Sequence, residues 1–380
     1  MSTPRILQLL PALGDGGVER SAVEMAEFLG KRGATNWVAS SGGPLVADLE
    51  SAGADHILIP VGAKSPITMI GSAFKVAQLI DREKIDIVHA RSRAPAWVAL
   101  LAIRLSKRKP RYLTTFHGLY GHKSGLKRVY NGAMLRCPVV IANSNFIRDH
   151  IVSVYGYPAD QIIVAPRGID PVVFAPAAIT SEQRLSVRRE LGAADDQRLI
   201  VMVGRITGWK GHSILLDAFA KLADPKTRLA LIGSGDETTI TNAKAQAERL
   251  GIKDRVTFAG SRRDIATVLS AADLAVSAST RPEAFGRAAI EAQAMETPVI
   301  ATNHGGSCET VLHGETGWLV TPGDSDAMAS ALRQALADPA RLASMGHAAR
   351  AHVLAHFTTQ SMLEKEYSAY ERVMSEPLKG

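Results

Sequence analysis

The sequence predicts an α/β protein made of two doubly wound, mostly parallel sheets facing each other across a cleft. Short β-branched runs alternate with helical patterns from Arg5 to Ala165, and after a stretch with three prolines the alternation restarts and runs on to Ala337. At 380 residues the chain is long for one core and natural for two domains of about 150–200 residues. The proline-bearing stretch from Pro166 to Ser181 has no apolar period and reads as the linker, which puts the domains at 1–175 and 176–356.

In the first half, Arg5–Leu10 is an apolar run ending at Pro11, followed by Gly14-Asp15-Gly16-Gly17 and by helical spacing of Val18, Ala22, Met25, Ala26 and Leu29. This is strand, glycine turn, helix. Glu19 stands where a dinucleotide fingerprint wants its third glycine, which argues against an NAD site. Two readings of Gly16 and Gly17 stay open: backbone amides close to a phosphate or sugar, or glycines that serve the turn alone. Strands at 36–39, 56–59, 85–89, 111–116, 139–142 and 162–165 alternate with helices opening at Pro44, Pro66, Ser92, Gly125 and Ser144. In such sheets ligand chemistry gathers at strand C-termini. His117, in Thr115-Phe116-His117-Gly118, is placed at one such lip; alone, the segment reads as a satisfied strand-end histidine.

In the second half, Gly204-Arg205 closes the strand at 199–203, and Lys210-Gly211 opens the next helix. Guanidinium and ammonium beside a helix start at a strand end suit a pyrophosphate, although the Gly-x-x-x-x-Gly-Lys-Ser/Thr spacing of a P-loop is absent. Gly233-Ser234-Gly235 and Gly260-Ser261-Arg262-Arg263-Asp264 close the next two strands on the same edge, where main-chain groups suit a nucleobase. Asp324-Ser325-Asp326 has a metal-binding spacing but opens a helix, where aspartate is an ordinary cap. The expectation is therefore no metal, with Arg205, Lys210 and helix amides facing a departing diphosphate.

The stretch from Ala278 to Glu315 carries the densest chemistry. Glu283 and Glu291 flank a junction of loop and helix at Gly286, and the helix leads to a β-branched strand and Gly305-Gly306. A helix start offers unpaired N–H groups and partial positive charge. A carboxylate before it and another within its first turns can each accept two hydrogen bonds from a vicinal diol.

Bulk properties bound the rest. The longest apolar run, Ala94 to Ile103, is about half of the roughly 20 residues a membrane span needs. Met1–Leu13 lacks a secretory cleavage pattern, so the expectation is a cytoplasmic protein. Cys137 and Cys308 lie far apart without metal-ligand spacing and read as reduced thiols. The net charge of +7 is uneven: from Ile87 to Arg148 there is no acidic residue, while twelve lysines and arginines accumulate, from Arg91 to Arg148. This block suits an anionic acceptor or an anionic membrane surface better than a solvated face. Nucleic acid is the weakest partner, since no zinc, helix-turn-helix or aromatic RNA-binding signature accompanies the charge.

Taken in order, Gly16-Gly17, Phe116-His117-Gly118, Pro166-Arg-Gly-Ile-Asp170, Gly204-Arg205 with Lys210-Gly211, and Glu283 to Glu291 with Gly305-Gly306 resemble the family 4 retaining glycosyltransferases of GT-B fold. They are similar to bacterial members that act on lipopolysaccharide or other cell-envelope acceptors. The resemblance implies two Rossmann-like domains, the first binding the acceptor and the second a nucleotide diphosphate sugar of UDP or GDP type. It implies that Glu283 contacts donor-sugar hydroxyls, that Glu291 takes the ribose diol, and that the amides of Ala284, Phe285 and Gly286 meet the sugar and distal phosphate. Arg205 and Lys210 would neutralise the leaving diphosphate, with His117 and the Gly16-Gly17 loop completing the site from the first domain; Gly204, Gly235 and Arg262 join the donor contacts. The implied acceptor is a lipid-linked or lipopolysaccharide-type saccharide, met peripherally on the inner face of the cytoplasmic membrane. A C-terminal helix over about 357–380 would cross back to the first domain.

Three residues depart from the family pattern: Arg167 where asparagine is common, Arg287 where a small or apolar residue is common, and Glu296 where glycine is usual. A left-handed cap at Glu296 costs about 1 kcal/mol relative to glycine, so a different helix ending is expected. Arg287 reads either as a contact to phosphate or an anionic acceptor or as a solvated surface arginine. Two other functions fit the same architecture: a nucleotide-sugar epimerase, and a catalytically silent nucleotide-sugar-binding subunit.

Overall fold

A computed structural model describes residues 3–14, 16–122 and 124–375. Asp15 of the glycine loop, Lys123 of the basic block and the 376–380 end of the expected closing helix lie outside them. The chain forms two compact units, one running to Pro166 and resuming at Gln360, the other spanning Arg167–Thr359.

The first unit alternates β1 (Ile6–Leu9), α1 (Gly17–Lys31), β2 (Asn36–Ser40), α2 (Val46–Ser51), β3 (Asp55–Leu58), α3 (Pro66–Arg82), β4 (Ile87–Ala90), α4 (Arg93–Leu105), β5 (Arg111–Phe116), α5 (Gly125–Gly132), β6 (Val140–Ala142), α6 (Asn145–Tyr155) and β7 (Ile162–Val164). Its seven strands are all parallel, in the order β3-β2-β1-β4-β5-β6-β7. The order reverses between β1 and β4, the switch point at which such sheets open a crevice.

The second unit repeats the plan with α7 (Ser181–Glu190), β8 (Arg198–Val203), α8 (His212–Leu222), β9 (Thr227–Ile232), α9 (Glu237–Arg249), β10 (Val256–Gly260), α10 (Ile265–Ala271), β11 (Leu274–Ser277), α11 (Arg287–Ala294), β12 (Val299–Thr302), α12 (Ser307–Thr310), β13 (Gly317–Val320), α13 (Ser325–Ala337) and α14 (Pro339–His356). The six parallel strands run β10-β9-β8-β11-β12-β13, with the switch point between β8 and β11. Alternation along β8 fills both faces: Leu199 and Val201 enter one core with Ala230, Ala275 and Val299, while Ile200 and Met202 enter the other with Leu215, Phe219 and Trp318. Each buried valine, leucine, isoleucine, methionine or phenylalanine among them contributes about 1.5–3 kcal/mol.

The last helix, α15 (Thr359–Ser375), belongs to the first unit from Gln360 on. Met362, Leu363, Tyr370 and Val373 share a core with Ile6, Met25, Phe28 and Leu113. A buried polar seam accompanies this packing. Arg91 Nη1 lies 2.7 Å from Glu366 Oε1, and Arg91 Nε donates to Gln8 Oε1 at 2.7 Å. His89 Nδ1 pairs with the Tyr370 hydroxyl at 2.8 Å.

The stretch read as a linker is packed into the second unit. Ile169 and Phe174 lie in its core, the Ile169 amide donates to Phe357 O, and the Thr359 amide donates to Ile169 O. The expectation at Glu296 is overturned. The residue does adopt the left-handed conformation, with φ 60°. The Thr297 amide donates to Ala292 O and the Glu296 amide to Gln293 O, which is the hydrogen-bond pair of a Schellman ending. Those bonds, a contact to Arg350 at Ala294 O and a 3.3 Å contact from Glu296 to His347 offset the cost of the missing glycine. Among the described residues no helix is long and apolar enough to cross a membrane.

Candidate active site

The second unit collects its chemistry at the switch point. β8 ends at Val203 and β11 at Ser277, and the loops leaving these two neighbours carry Arg205 and Lys210 on one side and Ser279 and Glu283 on the other. Lys210 Nζ donates to Glu283 Oε1 at 2.9 Å, both side chains being mostly buried, and Ser279 Oγ donates to the same oxygen. The Lys210 ammonium also lies 4.7 Å from the centre of the Trp209 ring. Arg205 is exposed, and its guanidinium has no side-chain partner among the described residues.

Two glycines hold this geometry. Gly211 has φ +79°, and a Cβ there would lie 1.9 Å from Ala278 O, so only glycine lets the start of α8 cross the end of β11. Gly305 has φ +62°, and its Cβ would come within 2.5 Å of Glu283 O. The neighbouring Gly306 amide donates to Glu283 O at 2.8 Å, so the loop after β12 fixes the Glu283 backbone. Ser279 is fixed in turn: Thr302 Oγ1 donates to Ser279 O at 2.9 Å, and His304 Nε2 is 2.8 Å from the same carbonyl.

Helix α11 begins immediately after Gly286 with no side-chain cap and no acidic residue in its first turn. The Ala289 amide already bonds Gly286 O, and the amides before it meet no capping side chain, an arrangement suited to an anion. The Phe285 side chain is core, edge-on to Phe357 with ring centroids 5.5 Å apart, which leaves only its backbone on the side of the α11 start. Glu291, one turn into α11, accepts from Arg287 Nε at 2.8 Å. Of the remaining sequence-derived residues, Gly204 directly follows β8, and Gly235 follows β9, bridged to Ile206. Arg262, after β10, is held by both oxygens of Asp264 and by Glu190, which raise its pKa and occupy its guanidinium. Any base contact there falls to the backbone. Asp324 accepts from the Asp326 and Ala327 amides at 2.9 Å each, which is the helix cap the sequence suggests.

In the first unit, Gly16 is the uncapped N-terminus of α1 after β1, and Gly17 its first residue. His117 follows β5, two strands away across β4, with its carbonyl accepting from Asn143 Nδ2 at 3.3 Å. These three residues share the C-terminal edge of that sheet.

Sequence reasoning missed Ser279 and the Arg287–Glu291 pair. The signal for the first was a hydroxyl four residues before Glu283, and for the second an arginine four residues before Glu291. A cavity of about 570 Å³ lies at the opposite edge of the sheet, lined by Arg188, Arg198, Lys226, Asp196 and Asp273. Its charges pair with one another, so the open chemistry is at the switch point instead.

The comparisons with known proteins bear on the fold and the family. Residues 15–173 match the family described as Glycosyltransferase Family 4, and residues 183–352 match Glycosyl transferases group 1. A crystal structure of a glycosyltransferase from Rickettsia africae is 34% identical and covers 99% of this chain and 100% of its own, with a TM-score of 0.91. The chain is a family 4 glycosyltransferase. Anabaena Alr3699/HepE, solved in complex with UDP-glucose, is 26% identical with a TM-score of 0.85, covering 98% of the glycosyltransferase and 100% of its own chain. D-inositol 3-phosphate glycosyltransferase of Segniliparus rotundus is 36% identical over 219 residues, 56% of this glycosyltransferase and 47% of the relative. The enzyme thus spans about half the length of that relative.

Proposed function

We propose that the enzyme transfers a sugar, with retention of configuration, from a nucleotide diphosphate sugar of UDP type to an anionic saccharide or polyol. The observation that carries this reading is the Lys210–Glu283 pair at the β8–β11 switch point, with Glu283 three residues before Gly286 at the uncapped start of α11. Arg205, Lys210 and the α11 amides bind the diphosphate and take up its charge as it leaves. Glu283 accepts hydrogen bonds from the donor sugar and Glu291 from the ribose. The glutamates position the donor, and the leaving phosphate accepts the acceptor's proton on the same face of the sugar. No step calls for a metal. The likeness to a protein solved with UDP-glucose supports uracil over guanine.

The first unit binds the acceptor, with Gly16, Gly17 and His117 at its strand ends. Its lack of acidic residues between Ile87 and Arg148 supports a negatively charged acceptor, either a lipid-linked or lipopolysaccharide-type saccharide or a phosphorylated polyol. The similarity to a D-inositol 3-phosphate glycosyltransferase favours the second. Several of the block's cations are already engaged: Arg91 with Glu366, Arg108 with Asp86, Arg148 with Asp149, Arg93 over Tyr120. Arg104, Lys107 and Lys127 remain exposed, Lys127 beside the exposed Leu126 and Val129 of α5, and support a peripheral contact with anionic lipid.

A donor screen that reads released nucleotide diphosphate, run with inositol phosphates and with purified envelope saccharides, tests the assignment. Acceptor-dependent release from a UDP-sugar is expected. Isomerised donor formed without acceptor, or tight nucleotide binding without turnover, overturns it. Sedimentation with phosphatidylglycerol vesicles that is lost at high salt is expected for the lipid contact, and its absence at low salt excludes that contact.

A further inference from the structure

Arg287 is the first residue of α11, and stability does not account for its being there. A cation in the first turn opposes the helix dipole. Arginine four residues before glutamate is also the less favourable order for a helical ion pair. The arginine side chain is 31% exposed and that of Glu291 15%, so the pair is partly buried, and desolvation of the carboxylate offsets much of what the contact adds. The contact is nonetheless specific: among the described residues the Arg287 guanidinium bonds Glu291 alone, Nε to Oε1 at 2.8 Å.

The geometry gives the contact a use. Helical side chains lean toward the helix N-terminus, so Glu291 runs back from the second turn toward the uncapped end of α11. Arg287 meets it at that level, beside the loop that carries Glu283. A glutamate has three rotatable side-chain bonds, and one carboxylate taking two vicinal hydroxyls works in a narrow range of orientations.

We infer that Arg287 is a positioning residue for ribose recognition, holding the Glu291 carboxylate where it accepts the 2′ and 3′ hydroxyls of the donor nucleotide. Selectivity for a ribonucleotide over its 2′-deoxy counterpart then depends on Arg287 as well as on Glu291. The inference rests on the assignment of Glu291 to the ribose.

The test is calorimetric binding to the full chain. Of UDP, GDP and ADP, the one that binds most tightly is compared with its 2′-deoxy form, in the wild type, Arg287→Ala, Arg287→Lys and Glu291→Ala. The wild type is expected to prefer the ribonucleotide by about tenfold, the worth of one hydrogen bond to a charged group. Arg287→Ala and Glu291→Ala should bring that ratio to within about twofold of unity, and Arg287→Lys should leave it intermediate. The ratio of ribo to deoxy affinity, which a purely structural role would leave unchanged, is the readout of positioning; a lower melting temperature in Arg287→Ala with an unchanged ratio makes the residue structural and overturns the inference. If Arg287→Ala keeps the wild-type ratio while Glu291→Ala loses it, the inference fails and the ribose assignment stands. Equal weakening of both nucleotides by Arg287→Ala makes the residue a phosphate contact and also overturns the inference. An unchanged ratio in Glu291→Ala, or no binding of any of the three diphosphates, overturns the donor assignment and the inference with it.

Discussion

Lys210 and Glu283 come from loops on neighbouring strands, seventy-three positions apart in sequence, and meet at 2.9 Å over the C-terminal edge of the second sheet. Each is what the other's ligand would displace. Under the proposed function a diphosphate would compete for the ammonium and sugar hydroxyls for the carboxylate, and the pair would hold both groups in place before donor arrives. Preorganised charge of this kind is worth more in a mostly buried site than in water.

Removal of either partner should therefore be costly to turnover, with a smaller loss of stability than a fully buried pair would show, since both side chains keep some solvent. Lys210→Ala is expected to lower kcat by about 10²–10³, and Glu283→Ala to abolish transfer. Steady-state kinetics with circular dichroism of both variants checks this; near-normal turnover in Glu283→Ala would remove the glutamate from the mechanism.

Gly211 makes the crossing of α8 and β11 possible, and any side chain there meets the Ala278 carbonyl. Gly211→Ala is expected to cost about 2 kcal/mol or more, from a left-handed backbone and a backbone clash together. Gly251, with φ +67° and nothing within 4 Å, is the control, and Gly251→Ala should cost only about 1 kcal/mol. Urea titrations of the two variants decide the matter: equal losses would mean that the Ala278 contact yields without cost.

Much of this was legible in the chain because it is local. Strand and helix alternation gave both sheets, and Ser144 and Asp324 cap the helices expected of them. The spacing of Glu283 and Glu291 marked the candidate site because a loop and one helix carry both. What was not legible depends on tertiary context. The 18-residue α14 escaped notice because its apolar stripe of Leu342, Met345, Ala349 and Val353 is set among further alanines, which blurs the contrast between faces. Glu296 reads as a poor helix ending until the Schellman hydrogen bonds are seen. The Arg91–Glu366 contact joins residues separated by most of the chain, and nothing in either local sequence announces it.

That contact makes α15 a part of the first unit that can be tested. Arg91 and Glu366 are buried, with side-chain exposures of 0% and 2%. Glu366→Ala leaves a buried guanidinium without its counter-charge and is expected to cost about 3–5 kcal/mol. Arg91→Met combined with Glu366→Leu should recover most of that loss. Chemical denaturation of the single and double variants is the measurement; a Glu366→Ala loss below about 1 kcal/mol would show the pair to be solvated.

Stability should also fall on mild acidification, through the buried His212 and three half-buried histidines. Burial lowers the His212 pKa to about 4, and lowers those of His56, His150 and His352 in the same direction. An unfolded histidine titrates near 6.5. Between about pH 6.5 and 4 the unfolded chain therefore binds more protons than the native one, and stability rises with pH. The His212 contribution is fully present above pH 6.5 and is lost as the pH falls toward 4, on the order of 3 kcal/mol at most. Urea midpoints measured from pH 7.5 to 4.5 should decline in the wild type and decline less steeply in His212→Leu. Parallel curves for the two proteins would mean that His212 accepts its proton without leaving its place at the start of α8.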